Sequence, residues 1–154
     1  APTMIGLLLE AENKPAEAQK IYEKVVSAAP EAAVAANNLA WLYAESGGNL
    51  DVALQLAQGA SQRLPKVPQV SDTLGWVYFK KDLAPLAVAA FENSVREDPS
   101  NPLYQYHLGL AHMKNGSAAK ARESFAAALR KKPDYKDAKN ALDSIDALNK
   151  PRAR

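Results

Sequence analysis

The chain has 154 residues, of which 47% are hydrophobic and 23% are charged, so it is long enough and apolar enough for one folded domain. It contains no cysteine, which excludes disulfides and thiolate metal sites. The net charge of +2 is uneven: residues 120–154 hold ten Lys or Arg against five Asp or Glu, whereas the other residues hold nine against twelve. No run of about 18 apolar residues is present, so no membrane-spanning helix is predicted.

Apolar residues recur with helical spacing along the whole chain, and Pro, Gly and Asn mark the breaks. The helices predicted in chain order are 3–12, 15–29, 31–45, 50–64, two within 68–101, 102–115, 117–132 and 135–149. In the last of these, Ala138, Leu142, Ile145 and Leu148 form one apolar stripe on an otherwise polar helix. The basic residues 150–154 are predicted to fray.

The helices fall into pairs that repeat along the chain. Helix-ending prolines stand at Pro30, Pro65, Pro99 and Pro133, separated by 35, 34 and 34 residues. A large apolar residue followed by a small one recurs in each pair, as Ile5-Gly6, Leu39-Ala40, Leu74-Gly75 and Leu108-Gly109. Two further positions keep the same phase, namely Ala18, Ala53, Ala87 and Ala121, and four residues later Tyr22, Ala57, Phe91 and Phe125.

This period-34 pattern of paired helices resembles the tetratricopeptide repeat family over nearly the whole chain. The resemblance implies an all-α fold, a right-handed superhelical solenoid of about four helix-turn-helix repeats with a C-terminal capping helix. The expected organisation is a single domain over residues 1–149, with repeats at 1–32, 33–67, 68–101 and 102–135 and the cap at 135–149. By the family's register the first helix lacks about two positions, so we expect a fragment of a longer repeat protein. The 35-residue interval predicts one extra residue in the turn 46–49.

No constellation of catalytic residues can be assembled from the sequence. The two histidines, His107 and His112, are five residues apart and do not share a helix face. The pair Lys80-Lys81 follows no glycine-rich phosphate loop. We therefore expect no enzymatic activity, no cofactor, no metal and no small-molecule substrate.

The resemblance places the first helix of each pair on the concave face of the solenoid, where family members bind partners. The family's pattern has Trp three residues before the Leu-Gly pair, but here those places hold Ala36, Ser71 and Gln105. The tryptophans Trp41 and Trp76 instead follow the small residue, on the face that the resemblance assigns to the groove. Two alternatives are open for both rings: exposure in the groove, or packing on the neighbouring first helix. The predicted groove residues are Leu7, Asn37, Asn38, Trp41, Asp72, Trp76, Phe79, Lys80, Tyr106, His107, Leu110, Met113 and Lys114.

These residues give an apolar and aromatic groove with polar contacts, which favours a peptide or amphipathic helix of a partner protein. Thr3, Leu7 and Trp41 are poor substitutes for the Lys and Asn groups with which some family members grip a C-terminal carboxylate. Two alternatives stay open: a structural spacer in a longer repeat array, and contact with an anion or nucleic acid through the basic C-terminal end. Self-association through the incomplete first helix is a further expectation.

The run from Asn37 to Lys81 is similar to bacterial repeat proteins of the envelope and exopolysaccharide type. The sequence leaves the compartment open between the cytoplasm and the periplasm or cell envelope, for a soluble protein.

Overall fold

A computed structural model describes residues 1–151, and over these residues the chain forms α-helices and no strand. The helices are α1 (Pro2–Ala11), α2 (Pro15–Ala28), α3 (Ala33–Ser46), α4 (Leu50–Arg63), α5 (Pro68–Lys80), α6 (Ala84–Glu97), α7 (Pro102–Lys114), α8 (Ala118–Lys131) and α9 (Lys136–Leu148). The predicted all-α solenoid is confirmed, and every predicted helix is present with ends displaced by at most two residues. The predicted frayed tail falls largely on residues 152–154, outside the described residues. None of the described helices combines the length and apolarity that crossing a bilayer requires.

Each turn inside a helix pair passes through one residue with left-handed backbone. These residues are Asn13 (φ 59°), Gly47 (φ 70°), Asp82 (φ 60°) and Gly116 (φ 76°), and they keep the repeat period. Glycine adopts this conformation without strain, and Asn and Asp tolerate it better than most residues. The next helix begins two residues later in three of the turns but three residues after Gly47, so the extra residue of the second repeat lies in the predicted turn.

The two helices of a pair approach closely where a small residue of the first meets a ring of the second. A Cβ added to Gly6, Gly75 or Gly109 would lie 2.4–2.6 Å from ring carbons of Tyr22, Phe91 or Phe125 respectively. The second repeat departs from this pattern on both sides, because Ala40 replaces the glycine and Ala57 replaces the ring, and the two share one core cluster. The residue on the first helix is therefore small enough for the residue it faces: glycine faces a ring in three repeats, and alanine faces alanine in the second.

The core is divided among the helix pairs, as a solenoid requires. Each helix packs against the helix before and after it in the chain, and α5 also contacts α3 and α7. The first helices α3, α5 and α7 thus form one continuous layer. That contact supports the orientation that the resemblance implied, with α1, α3, α5 and α7 on the concave side; we call the surface of these helices the concave groove.

The last helix, α9, covers the end of α8. Ile145 is buried with Ala121 and Phe125, while Ala141 and Leu142 pack at the edge of this cluster. Leu148 departs from the predicted stripe: its side chain is 78% exposed, because the final residue of α9 lies beyond this cluster.

Candidate functional site

The two tryptophans and Phe79 lie in one stacked row on the concave groove, which we call the aromatic row. The ring centroids of Trp41 and Trp76 are 5.6 Å apart, and those of Trp76 and Phe79 are 5.2 Å apart with nearly parallel planes. Both tryptophans keep an exposed fraction while packing on neighbouring core clusters. Neither full exposure in the groove nor full burial describes the two rings, since each ring contacts the neighbouring first helix and is also partly open to solvent.

Charged groups hold the aromatic row at its edges. The Trp76 indole Nε1 donates to Glu45 Oε1 at 2.5 Å, and Lys80 Nζ lies 5.2 Å from the Trp76 ring centroid. Lys114 Nζ lies 4.2 Å from the Phe79 ring centroid and donates to the Phe79 carbonyl oxygen at 3.0 Å. Such cation–π contacts add about 0.5–1 kcal/mol each at exposed positions. These contacts hold Trp76 and Phe79 in place through residues of α3, α5 and α7.

Four of the polar residues predicted as contacts lie deep under the groove rather than at its edge. Asn37, Asn38, Asp72 and His107 are each 3–6% exposed. His107 stacks under Trp76 with ring centroids 4.7 Å apart, and its centroid also lies 6.1 Å from that of Trp41. Buried polar groups are costly unless they are hydrogen-bonded, so their partners matter.

Asp72 and His107 satisfy each other. His107 Nδ1 and Asp72 Oδ1 share a hydrogen bond of 2.7 Å, which joins α7 to α5. Burial raises the pKa of Asp72, and the hydrogen bond and charge of His107 oppose that rise. The single proton of this bond lies between His107 Nδ1 and Asp72 Oδ1, so neither group is left as an unpaired buried polar atom. His112, the second histidine, is buried away from this pair, and its burial lowers its pKa.

A second buried chain of hydrogen bonds links α3, α2 and α1. Asn37 Nδ2 donates to Asn38 Oδ1 at 3.1 Å, and Asn38 Nδ2 donates to the Tyr22 hydroxyl at 3.2 Å. That hydroxyl donates to Glu10 Oε1 at 2.5 Å. Burial and the bond to Glu10 raise the pKa of Tyr22, so the hydroxyl keeps its proton. At the other end, Asn37 Oδ1 is buried without a hydrogen-bond partner among the described residues.

These buried groups border a cavity of about 270 Å³ on the concave groove, which we call the acceptor cavity. Its walls come from α1, α3, α5 and α7, with Leu103 and Tyr104 at the start of α7. The lining residues are Glu10, Asn37, Asn38, Trp41, Gln69, Asp72, Thr73, Leu103 and Tyr104. Four of these nine, namely Asn37, Asn38, Trp41 and Asp72, were predicted groove residues.

The remaining predicted residues lie outside the cavity. Tyr106 packs between the rings of Phe125 and Tyr135, at 5.8 and 5.2 Å, and Leu110 packs against the last core cluster. Met113 and Leu7 are exposed, at 38% and 40%. The structure thus brings together the aromatic row and the buried polar groups, and places the C-terminal part of the predicted set against the fourth repeat and the cap.

The sequence reasoning missed several residues of the site. Gln69 and Tyr104 lie three residues, or about one helical turn, before Asp72 and His107 on the same helix faces. Extending the predicted groove by one turn toward the start of α5 and α7 would therefore have included them. Glu10 lies three residues after Leu7 on α1 but was not among the predicted groove residues. The role of Tyr22 had no sequence signal, because Tyr22 belongs to a second helix. Among residues 1–151, no three His, Cys, Asp or Glu side chains come together in a way that could hold a metal ion.

Comparison with known proteins agrees with this architecture. The family model described as tetratricopeptide repeat matches residues 3–68 and 73–144. The chain belongs to the tetratricopeptide repeat family. Proteins of this family are generally non-enzymatic scaffolds that mediate protein–protein interaction. No curated protein matches the chain significantly.

Solved tetratricopeptide repeat structures share the fold at low sequence identity. TTC0263, a thermophilic TPR protein of Thermus thermophilus, is 20% identical with a TM-score of 0.80, covering 96% of this chain and 80% of that one. YrrB, a TPR protein with an unusual peptide-binding site, is 20% identical with a TM-score of 0.74, covering 96% and 75%. The first TPR of Spaghetti (RPAP3), bound to the HSP90 peptide SRMEEVD, is 18% identical with a TM-score of 0.71, covering 75% and 91%.

Proposed function

We propose that this chain binds a peptide segment or amphipathic helix of a partner protein in the concave groove. The observation that carries the proposal is the aromatic row of Trp41, Trp76 and Phe79, whose rings are stacked, held at both edges and partly open. Large rigid aromatic side chains supply much of the binding energy at protein interfaces, because they bury a large area at little entropic cost. Two of the structurally similar proteins bind peptides: YrrB has an unusual peptide-binding site, and the first TPR of Spaghetti is bound to an HSP90 peptide.

The chemistry of the groove favours an amphipathic ligand over a C-terminal carboxylate. The aromatic row offers apolar contact, and the adjoining acceptor cavity offers oxygen atoms rather than cations. Lys80 and Lys114 lie at the other edge of the row, where Lys114 is also paired with Asp82 at 2.6 Å. A peptide with apolar residues at i, i+3, i+4 and i+7 would meet the aromatic row with one face.

The test uses the two tryptophans as the reporter, since the chain has only these two and both lie in the groove. Peptides selected from a random display library would be titrated into the protein while tryptophan emission is recorded. Trp76→Ala should weaken binding by about 2 kcal/mol, roughly 30-fold, if the ring is a binding hot spot. Because one fluorophore is lost in this variant, its affinity is measured by calorimetry.

A matched control separates binding from folding. Leu86, on the outer helix α6, is 48% exposed, so Leu86→Ala removes apolar surface outside the groove. Trp76 packs against two core clusters, so Trp76→Ala will also lower the melting temperature. Both variants are therefore titrated at a temperature well below their melting temperatures. Unchanged affinity of folded Trp76→Ala protein would refute the proposal.

The dependence of affinity on salt concentration distinguishes binding in the groove from binding at the basic C-terminal end. Part of its charge is already paired, because Arg122 bonds Asp146 at 2.8 Å and Lys139 bonds Asp143 at 3.2 Å. An anionic ligand there would lose affinity steeply with rising salt. A ligand held by apolar contact with the aromatic row should instead lose much less affinity between about 50 and 300 mM salt.

A second candidate is self-association through α1. Met4, Ile5, Leu7 and Leu8 are each 40–58% exposed, an unusual apolar density for one short helix. Exposed patches of this kind mark interaction surfaces. Sedimentation should show a concentration-dependent dimer that Leu8→Glu abolishes, whereas a monomer at all concentrations would exclude it.

A further inference from the structure

The acceptor cavity has a polarity that the proposed peptide-binding function does not by itself explain. Two carboxylates, Glu10 and Asp72, and the amides of Asn37 and Asn38 all contribute to its walls. Two aromatic side chains, Trp41 and Tyr104, complete the enclosure. Carboxylates combined with aromatic faces are the surroundings that organic cations prefer.

The unpartnered oxygen of Asn37 gives an independent indication of what the cavity lacks. Asn37 is 3% exposed, and its Oδ1 atom has no hydrogen-bond donor among the described residues. A buried acceptor left without a donor is unfavourable, and a ligand donor would remove that penalty.

The identity of that free atom follows from the direction of the hydrogen bonds. The Glu10 carboxylate can only accept, so the Tyr22 hydroxyl must donate to it. The hydroxyl hydrogen is then used, so Tyr22 accepts from Asn38 Nδ2, and Asn38 Oδ1 accepts from Asn37 Nδ2. Reversing the Asn37 amide would turn two oxygens toward each other. The atom that remains unpartnered is therefore an acceptor, and the Glu10 carboxylate at the far end of this chain of bonds fixes it as one.

Asp72 adds a second acceptor of the same kind. Its Oδ1 atom is occupied by His107, and no other hydrogen bond to this carboxylate is formed within residues 1–151. The only imidazole at this end of the groove is thus already committed to Asp72. An anion entering the cavity would meet carboxyl and amide oxygens and no Lys or Arg, whereas a cationic group would find oxygens that accept its hydrogen bonds.

We propose that the acceptor cavity binds the cationic end of a lysine or arginine side chain carried by the peptide in the groove. The inference rests on the proposed function for the source of that side chain, but the cavity's preference for a cation does not depend on it. The ammonium or guanidinium donates to Asn37 Oδ1 and to the carboxylates of Glu10 and Asp72, while its alkyl part packs on Trp41. A ligand bound in this way has its basic residue at the α1 side of the aromatic row.

The experiment uses small probes on the intact chain, with tryptophan emission as the readout. The probes are n-butylguanidinium and n-butylammonium, compared with neutral butyramide and anionic butyrate. We expect saturable emission changes with the two cations only. Glu10→Gln keeps an oxygen that accepts from Tyr22 but removes the charge, and should weaken cation binding about tenfold. Glu97→Gln is the matched control, because Glu97 is exposed at the end of the outer helix α6, away from the groove and both tryptophans, and should change it less than about twofold.

The outcomes separate this inference from the proposed function. Equal binding of butyramide, or no effect of either Glu10→Gln or the second variant Asp72→Asn in folded protein, overturns the cation site. Library peptides that bind through the aromatic row, yet lose nothing when their Lys and Arg are replaced by Gln, also overturn it while leaving the proposed function intact. Saturable cation binding without any peptide binder supports the cavity and counts against the groove.

Discussion

The close approach of α5 to α6 predicts how one added methyl group at Gly75 changes the stability of the protein. Gly75→Ala would place a Cβ 2.6 Å from two ring carbons of Phe91, well inside ordinary van der Waals contact. The ring cannot easily retreat, because Phe91 is fully buried among Ala87, Leu108 and Ala111. Overpacking of this kind costs about 1–3 kcal/mol. Against it stands the higher helix propensity of Ala over Gly, about 1 kcal/mol.

Gly59→Ala provides the control, because it adds the same methyl group to α4, where nothing lies within 4 Å of the new Cβ. It should stabilise the protein by about 1 kcal/mol through propensity alone. The propensity gain cancels when the two variants are compared, so their difference isolates the overlap with Phe91. We expect Gly75→Ala to be about 1–3 kcal/mol less stable than Gly59→Ala.

Urea unfolding followed by far-ultraviolet circular dichroism measures this difference, and melting temperatures should separate by about 2–4 °C per kcal/mol. In the second repeat Ala40 already occupies the equivalent place opposite Ala57. There Ala40→Gly should lower stability rather than raise it. Equal stabilisation by Gly75→Ala and Gly59→Ala would show that the ring moves freely and that the close approach does not limit residue size.

Two further predictions concern the fourth repeat and the cap. Burial lowers the pKa of His112 from its usual 6.5, so the unfolded chain binds a proton at higher pH than the folded chain. Stability is then fully present above about pH 6.5 and lost as pH falls through the folded-state pKa. His112→Tyr, which restores the residue type of Tyr43 and Tyr78, should flatten that loss in melts from about pH 7.5 to 5; an unchanged slope would refute it. Deleting residues 135–154 removes the cover of Ile145 over Phe125, and should produce self-association in sedimentation; a monomer with an unchanged melting temperature would show that the cap is dispensable.

The fold was predictable because its signals are local and periodic. Small residues, rings and prolines recur every 34 or 35 residues, and each marks the same point of a helix pair. The extra residue near Gly48 could be placed in its turn for the same reason. Leu148 shows the limit of such patterns, since helical spacing assigns a face but does not tell where the neighbouring helix ends.

The site was predictable only in part, because the burial of a side chain depends on how several helices pack together. Position within the repeat assigned Asn37 and His107 to the same face as the two tryptophans, but their burial depends on the neighbouring helices packed around them. The link from Asn37 to Glu10 runs through Tyr22 on another helix, and no spacing along one helix reveals it. Trp76 is only partly buried, and a sequence pattern does not give the exposed fraction of a side chain.

The contact between Trp41 and His107 joins the second repeat to the fourth, over the top of the third. In an ideal linear array each repeat interacts only with its immediate neighbours, and the ends can unfold while the middle persists. A bridge between next-nearest neighbours adds a stabilising term that is lost as soon as the second or the fourth repeat unfolds, so the opening of either repeat weakens the other. Amide hydrogen exchange in α3, α5 and α7 should therefore report one shared opening free energy, and the inner helices of this segment should behave as a single cooperative unit.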